Sequence, residues 1–371
     1  MNWYEIENAA EIPSPALLIY RDRVEANLRE MLRIAGGPAR LRPHIKTHKL
    51  PELVRRQTQL GIAKFKCATI AEAEMAAYNG AQDVLLAYQP VGPQARRFVN
   101  LVLSQPRRCF ACLADDAGAI RALAEARAGS AIPGPLEIYL DLDIGQHRTG
   151  VAPGPKALEL AKLIAALPGL KFAGLHAYDG QITDSNPELR AARCDASFAA
   201  VQDLRRSLEA EGISTPAIVA GGSPTFPIHA RRADPGLELS PGTTVFWDAG
   251  YLKQLPDLNF LPAAVLLTRV VSKPLPGRLC LDLGHKAVAS EMPAPRVVFP
   301  GLPEAIAVLH SEEHLVVETP RADRFAVGDC IYAIPWHVCP TVALHQEVWI
   351  VEDRRAGPRW TVSARARRLT I

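Results

Sequence analysis

The stretch PALLIYRDRVEANLREMLRIAGGPARLRPHIK, residues 15–46, decides the fold. PALLIY is a short apolar run that reads as a strand. RDRVEANLREMLRIA then places Val24, Leu28, Met31 and Ala35 at helical spacing, and a Gly pair closes it. ARLRPHIK follows as a second strand. Strand, helix, strand is the parallel βα unit, and the pattern recurs along the chain. KFKCAT, DVLLAY, RCFACL, LEIYLDLD, LKFAGLHAY and TPAIVAGG read as further strands, separated by helical stretches such as IAEAEMAAYNG and ARCDASFAAVQDLRRSLEAEG. Eight strands over residues 13–250 predict an α/β fold, a (β/α)8 TIM barrel with its chemistry at the C-terminal ends of the strands. After residue 250 the helical period fades. AAVLLTRVVSK, GRLCLDLG, RVVFPG, EAIAVLHSEEHLVVE, DCIYAIP and QEVWIVED, separated by Pro and Gly, predict a second, all-β domain over 251–371.

Composition narrows the function classes. Hydrophobic residues make up 48% of the 371 and charged residues 22%, a globular balance that excludes a disordered or fibrous chain. Subtracting 39 Asp and Glu from 42 Lys and Arg leaves +3, too little for a nucleic-acid or anionic-membrane face, so a small molecule is the expected partner. The start, MNWYEIENAAEIPSP, has acidic residues where a signal peptide has basic ones. No uncharged apolar run approaches the ~20 residues that span a bilayer, and the expected location is the cytoplasm. Seven scattered cysteines argue for reduced thiols. The pair Cys109 and Cys112 lies in a strand-like run, where core packing is the expected role.

Two clusters invite chemistry. RPHIKTHK, residues 42–49, sets Lys46 at the end of the second predicted strand. Partial desolvation at a barrel mouth makes such a lysine a usable nucleophile, while a basic loop in solvent is the plainer reading. His337 and Cys339, in HVC, would share one face of a strand and suit a single divalent metal. Two protein ligands leave positions open to water or substrate, which is the pattern of a catalytic ion.

With PSPALLI (13–19), DIGQHRTGV (143–151), LHAYDGQ (175–181), GGSPT (221–225), PGTTVFWD (241–248) and HVCPT (337–341), the order of motifs resembles the fold-type III pyridoxal phosphate enzymes. Within them it is similar to the D-threonine aldolase and D-serine dehydratase group, and the resemblance covers nearly the whole chain. It implies a cofactor-binding barrel of the alanine racemase N-terminal type and a C-terminal β domain that residues 1–12 join. Carried over, Lys46 matches the lysine that forms the internal aldimine, with His44 and Lys49 beside it. The glycine-rich turn Gly221, Gly222, Ser223 and Thr225, together with Gly242 and Thr243, would hold the phosphate through converging N–H groups, although an ordinary βα turn also explains the glycines. Arg148 matches an arginine near the cofactor's phenolic oxygen; the alternative is a salt bridge to Asp141 or Asp143. Tyr178 matches a pocket tyrosine, with a core tyrosine as its competitor.

The resemblance further implies a metal at His337 and Cys339, which is zinc on softness grounds with manganese, cobalt and magnesium open, and a homodimer. The chain departs from the better-known aldolases just beyond Tyr178, where Gln181, Thr183 and Asp184 offer no imidazole. A base for the substrate hydroxyl would come from His285 in DLGHK, His314 in HSEEH, or His176; both clusters also read as exposed loop polarity. The implied reaction is retro-aldol cleavage of D-β-hydroxy-α-amino acids to glycine and an aldehyde. The alternatives are dehydration by a D-serine or 3-hydroxyaspartate dehydratase, and a pyridoxal-phosphate-binding protein without catalysis.

Overall fold

The structure is a computed structural model describing residues 2–370. Its strands are β1 (Ala16–Tyr20), β2 (Lys64–Cys67), β3 (Asp83–Leu86), β4 (Cys109–Ala114), β5 (Leu136–Leu142), β6 (Leu170–Ala177), β7 (Ile218–Ala220) and β8 (Leu237–Leu239), followed by β9 (Ala264–Ser272), β10 (Arg278–Leu281), β11 (Val297–Val298), β12 (Ile306–His310), β13 (Leu315–Glu318), β14 (Cys330–Pro335), β15 (Glu347–Glu352) and β16 (Arg355–Thr361). They divide between two compact units. One comprises residues up to Glu30, Thr47–Leu50 and Thr243–Arg365; the other comprises Met31–Lys46, Pro51–Gly242 and the residues from Ala366 on.

In the second unit β2 to β8 form a parallel sheet in sequence order. The segment around Leu41–His44 closes it into a barrel. Leu41 bridges Leu239 of β8 and His44 bridges Lys66 of β2, both in parallel. Arg42 N donates to Leu239 O at 2.8 Å and Lys66 N to Pro43 O at 2.9 Å, so the segment serves as the eighth strand. Arg42 is fully buried and reinforces the seam, with a bidentate pair to Asp83 at 2.8 Å for each nitrogen and a further contact to Glu238. Leu85, Ala111, Leu113, Tyr139, Ala173 and Val219 pack inside. Three of the connecting helices start on side-chain caps: Thr69 accepts from Glu72 N, Asp116 from Ala119 N and Asn186 from Leu189 N.

The closing strands differ from the sequence expectation. PALLIY is not in the barrel: β1 lies between β9, antiparallel, and β15, parallel, in the other unit's sheet. Its five residues are all buried, and an apolar run buried on both faces carries no sign of which sheet it joins. The last barrel strand is instead β8, three residues long with a central Glu238, too short and too polar to register as a strand in the sequence.

The first unit holds a nine-stranded sheet in the order β12-β13-β10-β9-β1-β15-β16, with β14 pairing to β9 and β11. Tyr4, Ile6 and Ile12 pack into its core with Leu18, Val265, Leu267 and Ile334. Asn8 completes the attachment, exchanging two 2.9 Å hydrogen bonds with the backbone of Ala356. Among the described residues no helix is long and apolar enough to cross a membrane. Cys109 and Cys112 both lie on β4, the latter fully buried.

Candidate active site

Lys46 sits just past the closing strand of the barrel, in the short 3-10 turn Ile45–Thr47, half-buried, with its N–H directed at His44 Nδ1 at 3.3 Å. A second lysine lies close enough for their charges to repel. Lys66, on β2, is 2% exposed and points into the barrel. Its Nζ is 3.4 Å from Nε2 of His176, whose Nδ1 is 2.7 Å from Asp141 Oδ1. Burial, then the charge of Lys46, pushes the Lys66 ammonium down to about 7 against the pull of Asp141 and Asp179. Burial and the neighbouring Lys66 charge likewise lower the His176 imidazole. Burial works to raise the Asp141 carboxyl, but His176, the Thr149 hydroxyl and Lys66 together hold it below the usual range.

Tyr178 follows β6 and is half-buried rather than a core residue. Lys66 Nζ and the Arg148 guanidinium lie 5.6 and 5.4 Å from its ring centroid. The carboxylates nearest Arg148 in sequence are engaged elsewhere, Asp141 with His176 and Asp143 with the N–H groups of Gly145 and His147 at 3.0 and 2.9 Å. The Arg148 loop can turn this tightly only because Gly150, at φ +97, brings its Cα against the backbone of Asp143.

The turn after β7 brings Ser223 and Thr225 to the backbone of Gly242 and Gly222. Ser223 Oγ accepts from Gly242 N at 3.3 Å, and Thr225 Oγ1 accepts from Gly222 N at 3.1 Å. A Cβ on Gly222 would stand 3.0 Å from the Tyr178 ring, and one on Gly221, at φ +82, 3.0 Å from His229. Gly222 therefore lets backbone approach the Tyr178 ring more closely than a side chain allows, and Gly221 does the same toward His229, so the turn can bring backbone up to an anionic group beside a flat ring. With an amine, a guanidinium and an aromatic face nearby in the same unit, this donor set fits pyridoxal phosphate.

Behind the turn lies a buried cluster not anticipated from sequence. Asp179 Oδ1 accepts from Thr225 Oγ1 at 2.7 Å, and Asp179 Oδ2 is 2.8 Å from His229 Nε2. Cys194 Sγ is 3.3 Å from the same nitrogen and 3.7 Å from Asp179 Oδ2, and its thiol is pushed up to about 12, by burial first and then by the Asp179 charge. The ligand atoms of Asp179, Cys194 and His229 fall within 4.8 Å of one another, a spacing that can hold a metal ion. The 2.8 Å side is nonetheless a hydrogen-bond length, below the roughly 3.3 Å that separates N and O ligands on a tetrahedral ion.

In the β unit, His337 and Cys339 meet, but not on a strand. β14 ends at Pro335; His337 is the N-cap of the helix Val338–Leu344 and Cys339 lies in its first turn. The strand geometry expected for HVC is thus replaced by a helix start, because Pro340 suits a helix's first turn and cannot extend a central strand. The imidazole still contacts the thiol. Burial pulls it down, and the contact with Cys339, then Glu291 and Asp248, more than offsets this and raises it to about 9. Glu291 Oε1 lies 2.5 Å from His337 Nδ1. Cys339 Sγ is 3.2 Å from Thr47 Oγ1 and 3.5 Å from Thr243 Oγ1. Thr243, expected among the phosphate ligands, thus touches the thiol, and Thr47 is the chain neighbour of Lys46. An imidazole and a thiol in contact, backed by a carboxylate, form a donor set that fits a borderline-soft divalent ion. His285 and His314 lie elsewhere in this unit, in two exposed turns packed on each other: His285 N donates to Ser311 O at 2.9 Å, and Lys286 pairs with Glu312 and Glu313.

The "Alanine racemase, N-terminal domain" family model matches residues 19–249, and the "Putative serine dehydratase domain" model matches 263–351. D-threonine aldolase of Arthrobacter sp is 31% identical over 363 residues, covering 96% of this chain and 93% of that protein. A 3-hydroxy-D-aspartate aldolase of Paracoccus denitrificans is 29% identical over 369 residues, with 96% and 93% covered. The crystal structure of D-threonine aldolase from Filomicrobium marinum superposes with a TM-score of 0.88 at 28% identity, over 98% of each chain. The barrel, the separate β unit and these full-length matches agree: the chain belongs to the alanine racemase N-terminal domain family, alongside D-threonine aldolase.

Proposed function

We propose that the protein is a pyridoxal phosphate- and divalent-metal-dependent lyase that cleaves D-β-hydroxy-α-amino acids to glycine and an aldehyde. The bound cofactor supplies an electron sink at Cα and the metal a Lewis acid for the β-hydroxyl. The chain's own residues do the rest. Lys46 is the amine that takes the cofactor's aldehyde. Arg148 offers a cation to its phenolic oxygen, Tyr178 a face for the ring, and Gly221, Gly222, Ser223, Thr225 and Gly242 a cradle for the phosphate. His337 and Cys339 hold the metal, and Thr243, beside Cys339, steadies the thiol. The net reaction breaks Cα–Cβ: the hydroxyl loses its proton, the Cβ carbon leaves as a carbonyl, and a proton returns to Cα.

The observation that carries this reading is the contact of His337 with Cys339 in a chain whose barrel also presents Lys46. A carbanion-forming amine site needs no metal to move a Cα proton, whereas breaking a bond beside a hydroxyl gains from acidifying it. The curated relatives of full length named above are both aldolases. Dehydration, with Lys46 removing the Cα proton and the hydroxyl leaving as water, is the second reading; the family model over 263–351 favours it. Incubation with D-threonine and with D-serine decides between them. Glycine with acetaldehyde supports the aldolase; keto acid with ammonia supports the dehydratase; turnover of the L-enantiomers instead overturns both. We place the enzyme in the cytoplasm, on seven scattered cysteines that form no disulfide among the described residues, and expect a homodimer, which light scattering of the active enzyme checks.

A further inference from the structure

Lys66 is a buried cation with no carboxylate at hydrogen-bond distance among the described residues: its nearest polar contact is Nε2 of His176 at 3.4 Å. Burying an ammonium this way costs stability, and a fold retains such a group where it does chemistry. Asp141 fixes the arrangement. Its carboxylate takes the Nδ1 side of His176, so Nε2 is the side that meets Lys66, which leaves the remaining Lys66 hydrogens for the space beside Tyr178.

Pyridoxal phosphate has four polar features: the aldehyde, the phenolic oxygen, the phosphate and the ring nitrogen. On the reading above, Lys46, Arg148 and the glycine turn answer the first three, and the ring nitrogen has no partner. His176 cannot serve, because both its nitrogens are committed. We infer that Lys66 is the ring-nitrogen partner of the bound cofactor, held in place by His176 and Asp141. A donor of this kind hydrogen-bonds an unprotonated pyridine nitrogen, where a carboxylate would hold it protonated; the ring then withdraws electrons less strongly. The groups whose charge reaches Lys66 are Lys46, Asp141, Asp179 and Arg42, with His176 in contact, and its depressed ammonium leaves it titrating near neutrality.

The inference rests on the cofactor reading, and its test separates the two. The enzyme is loaded with pyridoxal phosphate labelled with nitrogen-15 in the ring, and the ring signal is followed across neutral pH in the wild type, Lys66→Met and Lys66→Arg. Expected are an unprotonated, hydrogen-bonded nitrogen in the wild type with a step as Lys66 titrates, loss of that step in both variants, and cofactor affinity weakened about tenfold or more in Lys66→Met but largely restored in Lys66→Arg. A Lys66→Met enzyme with the wild-type signal and affinity within about twofold overturns the inference. So does a Lys66→Arg enzyme that binds no better than Lys66→Met while matching the wild-type circular dichroism. If borohydride fixes no cofactor to Lys46 in the wild type, the cofactor reading itself fails; if it does and the ring signal ignores Lys66, only the present inference falls.

Discussion

Asp179 Oδ1 accepts a hydrogen bond from Thr225 Oγ1 at 2.7 Å, and both residues are buried to within 2%. Through that bond, and through Gly222 N donating to the same hydroxyl, the residue after Tyr178 fixes the glycine turn. Replacing Thr225 with Val keeps the volume but strands a buried carboxylate oxygen and a buried N–H, each costing about 1–3 kcal/mol. Thr225→Val should therefore weaken cofactor binding by about tenfold or more, while Thr225→Ser stays near wild type. Equilibrium titration of the apoenzyme with pyridoxal phosphate checks both; equal affinities for the two variants would show that the hydroxyl does not matter.

Gly222 is limited by the Tyr178 ring itself. A methyl group there would stand 3.0 Å from Cε2, inside normal contact, so Gly222→Ala must push the ring or the turn aside. The change should raise the cofactor dissociation constant and leave the thermal midpoint of the apoenzyme nearly unchanged, since the strain sits at a pocket rim and not in the barrel core. A variant that loses fold and cofactor together would contradict this.

Much of this was readable in the sequence, for reasons that also explain what was not. The βα alternation and the β-rich tail are patterns of period and punctuation, and they survive in the structure. Lys46, Tyr178 and the glycine turn stand at strand ends, where a linear reading expects chemistry. The sequence pattern puts PALLIY in the barrel and marks no strand at Leu237–Leu239, because an apolar pentapeptide buried on both faces carries no address, and because Glu238 is paired with Arg42, 196 residues away in the chain. Asp179 and His229 are separated by 50 residues, and no local pattern joins them. Lys66 does leave a signal, a lysine at an inward position of KFKC, but within such a run a lysine is indistinguishable from ordinary strand texture.

Lys66 should make the apoenzyme less stable than it need be. Its ammonium sits at about 7 in the folded protein against 10.5 for an ordinary lysine, so the unfolded chain binds the extra proton between those values and stability rises with pH across that window. Below about 7 the full penalty is present, on the order of a few kcal/mol at ~1.4 kcal/mol per unit. Lys66→Met should thus raise the apoenzyme's thermal midpoint, most in mildly acidic buffer and progressively less toward alkaline pH. A variant destabilised at all pH values would mean that Lys66 makes a net favourable interaction the geometry does not reveal.

The metal pair should prove catalytic rather than structural. The unit that carries it is held by a nine-stranded sheet and by a core of Tyr4, Ile12, Leu18, Val265 and Ile334, none of which depends on His337 or Cys339. Two protein ligands leave an ion open to the substrate's hydroxyl, and loss of that contact removes transition-state stabilisation worth several kcal/mol. Chelation should therefore abolish turnover while the cofactor's visible band and the thermal midpoint stay in place. His337→Ala and Cys339→Ala should reproduce the effect without restoration by added metal. Thr47→Val, which removes one of the two hydroxyls at Cys339 Sγ, should lower metal affinity but leave activity recoverable at saturating metal. Metal content by mass spectrometry, read beside calorimetry, separates the cases: unfolding on chelation would make the ion structural, and full activity in the chelated enzyme would remove it from the reaction altogether.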